Sequence, residues 1–208
     1  LNIYMNTRIV SLNHQGAWQL IDEQGKQYSG FDWVICTAPS PQAAELLPEF
    51  FKYHADLKAI KMSSCFSLML GFEQSFPTEF EAAHVTDSDL SWIALNGHKP
   101  KRPDLFTLMV HSSEEYAEAH IDDDRDQVMQ YLIAETSRTI ECDASTADYK
   151  TIHGWRYANN EYKKQKSPPF IDQDLKLAAC GDWCLGGRVE GAFTSAYDLT
   201  KHMKESAL

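Results

Sequence analysis

The stretch Cys180-Gly-Asp-Trp-Cys-Leu-Gly-Gly-Arg-Val-Glu-Gly-Ala-Phe-Thr-Ser-Ala196 decides the fold of this chain. An apolar run ends in Gly-Asp, a glycine-rich turn follows, and a helix of small residues begins. Gly181 and Gly191 have no Cβ and would let a bulky ligand approach the backbone closely. Asp182 can accept hydrogen bonds from a polyol, and the first N–H groups of the helix, at residues 189–192, favour a negatively charged ligand. The same spacing also suits an ordinary strand, turn and helix that bind nothing.

Short extended segments open the chain. Residues 8–12 and 17–21 are typical of strands, and Gly16 and a turn at residues 23–25 divide them into hairpins. Residues 31–36 form an apolar run, so we expect a strand that is buried on both faces. A helix is predicted to begin near Pro41, because the missing N–H of proline has no intrahelical partner in a first turn.

The middle of the chain predicts an antiparallel sheet covered by helices. Strand-like runs follow one another without intervening helices, at residues 64–72, 91–95 and 104–111. Helices are predicted at residues 51–60, 114–120 and 125–140, and strands again at 150–157 and 175–180. The helix at 125–140 presents an apolar stripe, and acidic residues 122–124 precede it, where they cap the positive end of its dipole. The stripe consists of Val128, Tyr131, Leu132 and Thr136.

Charge and composition exclude several classes of partner. Nineteen Lys and Arg oppose thirty Asp and Glu, for a net charge of −11. Such a surface repels phosphate backbones, and the basic cluster of Lys163, Lys164 and Lys166 is too short to reverse this, so we expect no nucleic-acid partner. No apolar run is long enough to span a bilayer, and we expect no membrane partner. No pair of His or Cys has metal-ligand spacing, and no metal site is predicted.

The cysteines and the first residues bear on the origin of the chain. The five cysteines are odd in number and mostly sit in apolar runs, which indicates reduced, buried thiols and a cytoplasmic location. The chain opens at Leu1 without a charged signal-peptide region, which suggests a start partway into a longer protein.

Four segments resemble one known family. Residues 181–192 closely resemble the C-terminal FAD-binding motif of the flavin amine oxidase superfamily, and especially of its renalase-like branch: Gly-Asp-x-x-x-Gly-Gly-Arg-Val-Glu-Gly-Ala. Residues 31–47 resemble the strand and loop that pass the cofactor. Asn96-Gly-His-Lys-Pro-Lys-Arg102 resembles an Asn-x-x-Lys-Pro-x-Arg loop on the substrate side. His153-Gly-Trp-Arg-Tyr-Ala158 resembles His-Arg-Trp-x-Tyr-Ala, with Gly154 where Arg is usual.

The resemblance implies an FAD site whose residues can be assigned one by one. Asp182 would meet the ribityl chain or the pyrophosphate, with Gly181 and Arg188 beside it. The flavin ring edge would lie along Val189, Glu190, Gly191 and Ala192, and the adenosine side near Arg8, Ile9, Val10, Thr37, Ala38 and Pro39. Candidates on the substrate side are Asn96, Lys99, Arg102, Trp155 and Tyr157. Trp155 equally suits a protein core, and Lys99 and Arg102 equally suit an exposed basic loop. No catalytic residue is assigned, because the cofactor performs the chemistry.

One departure from the family pattern limits the site. None of the ten glycines forms the Gly-x-Gly-x-x-Gly turn that holds the FAD pyrophosphate in such flavoproteins. The fold prediction is therefore α+β: an antiparallel-sheet substrate domain at residues 49–171, and the remnant of an α/β, Rossmann-like FAD-binding domain at residues 1–48 and 172–208. The face left by the missing segment would favour self-association.

Three functions follow as hypotheses. The first is an FAD-dependent oxidoreductase that moves a hydride from a small amine or dihydronicotinamide-type substrate to flavin N5. The second is a non-catalytic binding or interaction module derived from the same fold. The third, a flavin-dependent DNA repair enzyme such as a photolyase, is disfavoured by the net charge and by the strand-rich middle of the chain.

Overall fold

The computed structural model describes residues 2–103, 105–160 and 167–205, which fall into two compact units. The described residues of the first unit lie within Leu1–Met62 and Asn159–Leu208, and the second unit is Ser63–Ala158. The units divide after Met62 and before Asn159, whereas the predicted domains divide after residue 48 and before residue 172. Which unit holds a cofactor and which a substrate stays a prediction. The Lys163, Lys164 and Lys166 cluster and Asp104, predicted to start a strand, lie outside the described residues.

Runs of three or four strands are separated by pairs of helices, and a helix ends the series. In order they are β1 (Ile9–His14), β2 (Trp18–Asp22), β3 (Gln27–Phe31), β4 (Val34–Cys36), α1 (Ser40–Leu46), α2 (His54–Ala59), β5 (Met62–Phe72), β6 (Ala82–His84), β7 (Leu90–Leu95), β8 (Phe106–Ser112), α3 (Glu114–His120), α4 (Arg125–Ile140), β9 (Tyr149–Asn160), β10 (Phe170–Asp172), β11 (Leu177–Ala179) and α5 (Val189–Glu205). None of the helices in these described ranges contains a stretch long and apolar enough to cross a bilayer.

The first unit contains two three-stranded sheets. β1, β2 and β3 form an antiparallel sheet in that order, which confirms the hairpins predicted around Gly16 and residues 23–25. In the other sheet β11 lies between β10, which is antiparallel to it, and β4, which is parallel to it. The parallel pair is buried unevenly, because β11 is fully covered whereas Ile35 of β4 is 42% exposed.

The predicted strand at residues 31–36 is wrong in two respects. Phe31 belongs to β3, where it pairs with Trp18, and β4 begins only at Val34. The strand is also not buried on both faces, since Ile35 and Phe31 are exposed. The apolar run thus contains the last residue of β3 and the whole of β4, which belong to different sheets. Its composition alone does not reveal where one strand ends and the next begins.

The second unit is a five-stranded sheet with one face covered by helices. The strand order is β6-β7-β8-β5-β9, and the pairs with a described register are antiparallel, as predicted. Phe66, Leu68 and Leu70 of β5 point to the same face as Leu108 and Val110 of β8, and all five are at most 1% exposed. They pack against Tyr116 and Ala117 of α3 and against Val128, Leu132 and Ile133 of α4.

Helices α3 and α4 have the bounds that the sequence predicts. Asp124 caps α4 by accepting the N–H groups of Asp126 and Gln127, which confirms the predicted capping role for this residue. Asp122 and Asp123 instead pair with Arg156 and His120. The apolar stripe is correct for Val128, Leu132 and Thr136 but wrong for Tyr131, which is 39% exposed. Tyr131 instead stacks on Tyr116 and donates its hydroxyl to Asp89. The sequence interpretation missed the short strands β6 and β10.

Candidate functional site

The predicted strand–turn–helix forms in the first unit. β11 is completely buried, and the N–H of Cys180 donates to the carbonyl of Cys36 at 3.1 Å, which prolongs the parallel pairing with β4. A single 3-10 turn follows at Asp182–Cys184. The carbonyl oxygen of Asp182 accepts the N–H groups of Leu185 and Gly187, each at 3.0 Å. These backbone bonds fix the glycine-rich turn in front of α5.

Trp183 brings two predicted cofactor segments together. Its side chain is 2% exposed, and its indole Nε1–H donates to the carbonyl of Ala38 at 3.1 Å. The loop that contains Thr37, Ala38 and Pro39 therefore lies next to the Gly181-Asp182 turn. Residues that are about 145 positions apart in sequence thus meet at the carboxyl ends of the parallel strands β4 and β11. This is where open α/β sheets bind ligands.

The structure gives different explanations for the glycines at positions 181 and 191 of the motif. A Cβ at Gly181 would lie 2.3 Å from Nε1 of Trp183, so the indole occupies the space that a side chain would need. The backbone of Gly181 is extended, and no left-handed conformation is involved. A Cβ at Gly191 would be in ordinary contact, 3.4 Å from the carbonyl oxygen of Asp182. Internal packing therefore explains Gly181, whereas Gly191 has room for a methyl group.

The beginning of α5 is open to solvent. Val189 is 91% exposed, and Arg188, Glu190 and Ala192 are also exposed. The N–H of Ala192 makes the first intrahelical bond, to the carbonyl of Arg188 at 3.1 Å. The N–H groups before it have no intrahelical acceptor and carry the positive end of the helix dipole. An anionic group would be stabilised here, and the carboxylate of Glu190 in the same turn offsets part of that field.

Asp182 retains hydrogen-bonding capacity. It is half-buried, and its Oδ1 accepts the N–H of Trp183 at 3.0 Å. No donor from residues 2–103, 105–160 or 167–205 reaches its Oδ2. A carboxylate oxygen is an acceptor for hydroxyl groups, so the side chain can receive the hydroxyls of a polyol, as the sequence predicts.

Val10 and Ala38 line a common cavity. The cavity has a volume of about 270 Å³ and is also bordered by Arg8, Gln42 and Glu45. Val10 is 50% exposed, which leaves an apolar surface beside the loop after β4. The structure thus joins the predicted adenosine-side residues Val10 and Ala38, although only a small cavity lies between them.

Three buried thiols lie behind the turn. Cys36, Cys180 and Cys184 are buried, all five cysteines of the chain are free, and Cys65 and Cys142 are partly exposed. Burial raises the pKa of each of the three thiols, that of Cys184 to about 12. Because the thiolate is the reactive form, these groups act as apolar packing and not as nucleophiles.

The predicted substrate-side residues attach at opposite ends of the five-stranded sheet. Gly71 of β5 lies beside Tyr149 of β9, and Ser64 lies beside Arg156, so the two strands are antiparallel with a constant register. Trp155 is consequently level with the start of β5. The loop at residues 96–102 joins β7 to β8 beside Phe72, at the end of β5. Trp155 and the loop at residues 96–102 are therefore separated along the sheet by seven residues of strand, which is about 23 Å.

The face of this sheet opposite to α3 and α4 carries polar and aromatic side chains. Trp155 is 54% exposed, so it is not a core residue, and its ring lies 4.2 Å from that of His153. Trp92 and His111 are paired across β7 and β8 on the same face. Burial lowers the pKa of His111, and the ammonium group of Lys99 lowers it further, so the loop at 96–102 places a cation within electrostatic range of this face.

The sequence interpretation assigned no role to Trp92, His111 or His153. The alternation of side chains between the two faces of a strand could have revealed them. In β8, Leu108 and Val110 are buried on one face. On the other face Thr107, Met109 and His111 are only half-buried. Of the predicted residues, Asn96 and Tyr157 are half-buried, and Lys99 and Arg102 are exposed. We name the face that Trp92, His111, His153 and Trp155 share the open sheet face.

Gly154, the departure from the family pattern, faces the helices. A Cβ there would lie 3.0 Å from the guanidinium of Arg125 and 3.0 Å from the ring of Phe66. Arg125 stacks over Phe66 at 5.0 Å and donates to the carbonyl of Ile121 at 2.7 Å. A guanidinium from α4 thus occupies the space beside residue 154. Within the described ranges no group of three His, Cys, Asp or Glu could hold a metal ion.

The fold and the turn define a protein of the flavin amine oxidase type. The chain belongs to the flavin-containing amine oxidoreductase family, whose model matches residues 1–199. Its fold is similar to that of a protein from Exiguobacterium sp. 255-15 assigned as a protoporphyrinogen oxidase, with a TM-score of 0.72 and 14% identity over 96% of this chain and 47% of that one.

A second similarity supports the same fold. A triple mutant of putrescine oxidase, made to redesign its cofactor binding, matches with a TM-score of 0.66 and 11% identity over 97% of this chain and 49% of that one. The chain therefore spans about half the length of the solved structures that it matches. The predicted membership of the flavin amine oxidase superfamily is confirmed, and the α+β fold class predicted from the sequence is correct.

Proposed function

We propose that this chain is part of an FAD-dependent oxidoreductase that oxidises a small amine or a dihydronicotinamide-type compound. The observation that carries the proposal is the turn at residues 181–192. A free carboxylate oxygen of Asp182 and the exposed start of α5 lie at the carboxyl ends of two parallel strands. The carboxylate would accept hydrogen bonds from the polyol chain of a flavin, and the start of the helix would face its negatively charged ring.

The residues fit a flavin on physical grounds. Asp182 would accept ribityl hydroxyls, and the N–H groups of residues 189–191 would stabilise negative charge on the ring. Val10 and Ala38 would hold the adenosine side. When bound, the flavin supplies a hydride acceptor at N5. The sequence contains no Gly-x-Gly-x-x-Gly turn, so the residues assigned to FAD account for one side of the cofactor.

The open sheet face supports the assignment of a substrate side to the second unit. The aromatic rings of Trp92 and Trp155 and the imidazole of His111, whose pKa is lowered by burial, would contact a flat or apolar substrate. The ammonium of Lys99 would attract an anionic group such as the phosphates of a dinucleotide. A dihydronicotinamide dinucleotide therefore suits the cationic loop better than a simple alkylammonium does. The renalase-like resemblance points in the same direction.

A titration of the 208-residue chain with FAD tests the cofactor assignment, followed by flavin fluorescence and by the visible spectrum. We expect saturable binding that Asp182→Asn weakens about tenfold, because one charged acceptor is lost while Oδ1 still accepts the N–H of Trp183. Asp174→Asn changes an exposed carboxylate of the same unit and should leave the affinity unchanged. Equal affinities of all three proteins would refute the role of Asp182.

Anaerobic bleaching of the visible flavin band then distinguishes the substrates. NADH should bleach the band faster than benzylamine, and Lys99→Gln should slow bleaching by NADH alone. If benzylamine is the faster reductant, the dihydronicotinamide assignment is wrong.

The second candidate, an interaction module, is favoured by one feature of α5. Val189, Phe193 and Tyr197 repeat every four residues and are 91%, 66% and 60% exposed. Such a stripe is typical of a helix face that packs on another surface. We propose that two copies of this chain associate through it. Sedimentation should give a dimer that Phe193→Glu converts to a monomer, and a monomeric parent chain would exclude the association.

A further inference from the structure

A cavity opens in the second unit at the end of the sheet where β5 ends and β9 begins. Its volume is about 790 Å³, and its lining includes Phe72, Phe76, Phe106 and Tyr149. The volume lies in the range of small-molecule sites, about 300–1,000 Å³. The cavity is at the opposite end of β5 from the level of Trp155, so it is separate from the predicted substrate residues on β9. We name it the distal cavity.

Its apolar wall is a packed ring cluster. Phe76 contacts Phe106 and Phe72 edge to face, with ring centroids 4.6 and 5.2 Å apart. The rings fix one another, so the wall is formed before any ligand arrives. At the rim, Leu105 and Tyr149 are 60% and 62% exposed. An aryl or alkyl group that enters would cover apolar surface that now faces water.

The cavity is lined by two carboxylates. Glu73 and Asp148 both line it, and Oδ2 of Asp148 accepts the backbone N–H of Glu73 at 2.8 Å, which holds the two residues together. Among the described lining residues the other titratable side chains are His98 and the hydroxyl of Tyr149. Lys99, Lys101 and Arg102 of the neighbouring loop do not line the cavity.

We propose that the distal cavity binds an organic ammonium ion that carries an aryl or alkyl group. The two carboxylates would pair with the ammonium, and the ring faces of Tyr149 and Phe76 would attract the cation and cover its apolar part. A carboxylate ligand of the same shape would be repelled. The site is a binding site that requires no flavin, and it stands whether or not the chain oxidises a substrate.

The probe is 2-phenylethylammonium, titrated into the 208-residue chain by calorimetry, with 3-phenylpropionate as its anionic counterpart. We expect the ammonium ion to bind and the carboxylate not to bind. Glu73→Gln combined with Asp148→Asn should weaken binding by about tenfold, the loss expected when a charge attraction near the surface is removed. The Asp148→Asn change keeps a side-chain oxygen that can accept the N–H of residue 73, so the fold is retained, which circular dichroism checks.

A matched control removes the same charge elsewhere. Glu115→Gln combined with Asp126→Asn changes two carboxylates on α3 and α4 that do not line the distal cavity, and it should leave the affinity unchanged. Methyl NMR of Leu105 locates the ligand, since its resonances should shift on titration. Equal binding of 3-phenylpropionate, unaltered affinity of the first double variant, or no binding at all would each overturn the proposal. Titration of the first double variant with FAD should give the parent affinity, which separates this site from the flavin assignment.

Discussion

Replacement of Gly181 by alanine tests whether internal packing or a ligand explains the glycine of the turn. The added Cβ would lie 2.3 Å from Nε1 and 2.7 Å from Cδ1 of Trp183, so the indole must move. Displacement of a buried ring by overpacking costs about 1–3 kcal/mol. Loss of its hydrogen bond to Ala38 costs about 0.5–1.5 kcal/mol more. We therefore expect Gly181→Ala to lower the free energy of unfolding by roughly 1.5–4.5 kcal/mol.

Gly191→Ala is the matched control within the same motif. Its Cβ would meet the nearest atoms at 3.4 Å, which is an ordinary contact. Alanine also favours a helix over glycine by up to about 1 kcal/mol. The free energy of unfolding should therefore stay the same or rise. If Gly191 serves a ligand, this variant lowers the affinity for FAD without lowering stability.

Urea unfolding followed by tryptophan fluorescence and circular dichroism measures both variants. The destabilisation by Gly181→Ala should shrink in a Trp183→Leu background, because the clash partner is then smaller, and the double-mutant cycle isolates that coupling. The packing argument is refuted if Gly181→Ala and the parent chain unfold at the same urea concentration. It is also refuted if the cost is the same with and without Trp183.

Three further predictions concern other parts of the chain. Gly154→Arg should lower the free energy of unfolding by about 1–3 kcal/mol through overpacking. The loss should be smaller in an Arg125→Ala background, because Arg125 occupies the space beside residue 154. Equal losses in the two backgrounds, measured by urea unfolding, would contradict this. The hydrogen bond to Asp89 raises the pKa of Tyr131, so its stabilising effect is complete below the unfolded pKa of about 10 and is lost as the pH rises through the folded pKa. Asp89→Asn should move the last step of the ultraviolet tyrosine titration to lower pH, and an unchanged titration would rule out the bond. Ellman's reagent should modify Cys142 in the folded chain before Cys36, Cys180 and Cys184, and a single rate for these four would show that the three are not buried.

Local chemistry explains why much of the fold follows from the sequence. The bounds of α3 and α4 follow from the apolar period and from the capping carboxylate of Asp124. The hairpins of β1 to β3 follow from Gly16 and from the turn at residues 23–25. The turn between β11 and α5 follows from its glycines and from the small residues after it. Each of these signals lies within a few residues of the structure that it determines.

Contacts between distant residues are decided by the tertiary structure alone. The parallel pairing of β4 with β11 and the bond from Trp183 to Ala38 join positions about 145 apart, and no local pattern encodes that register. The register of β5 and β9 likewise determines that Trp155 and the loop at 96–102 attach at opposite ends of one sheet. A side chain's neighbours across a sheet depend on which strands pair, so the sequence determined the chemical class of the site residues, and the fold decided which of them meet.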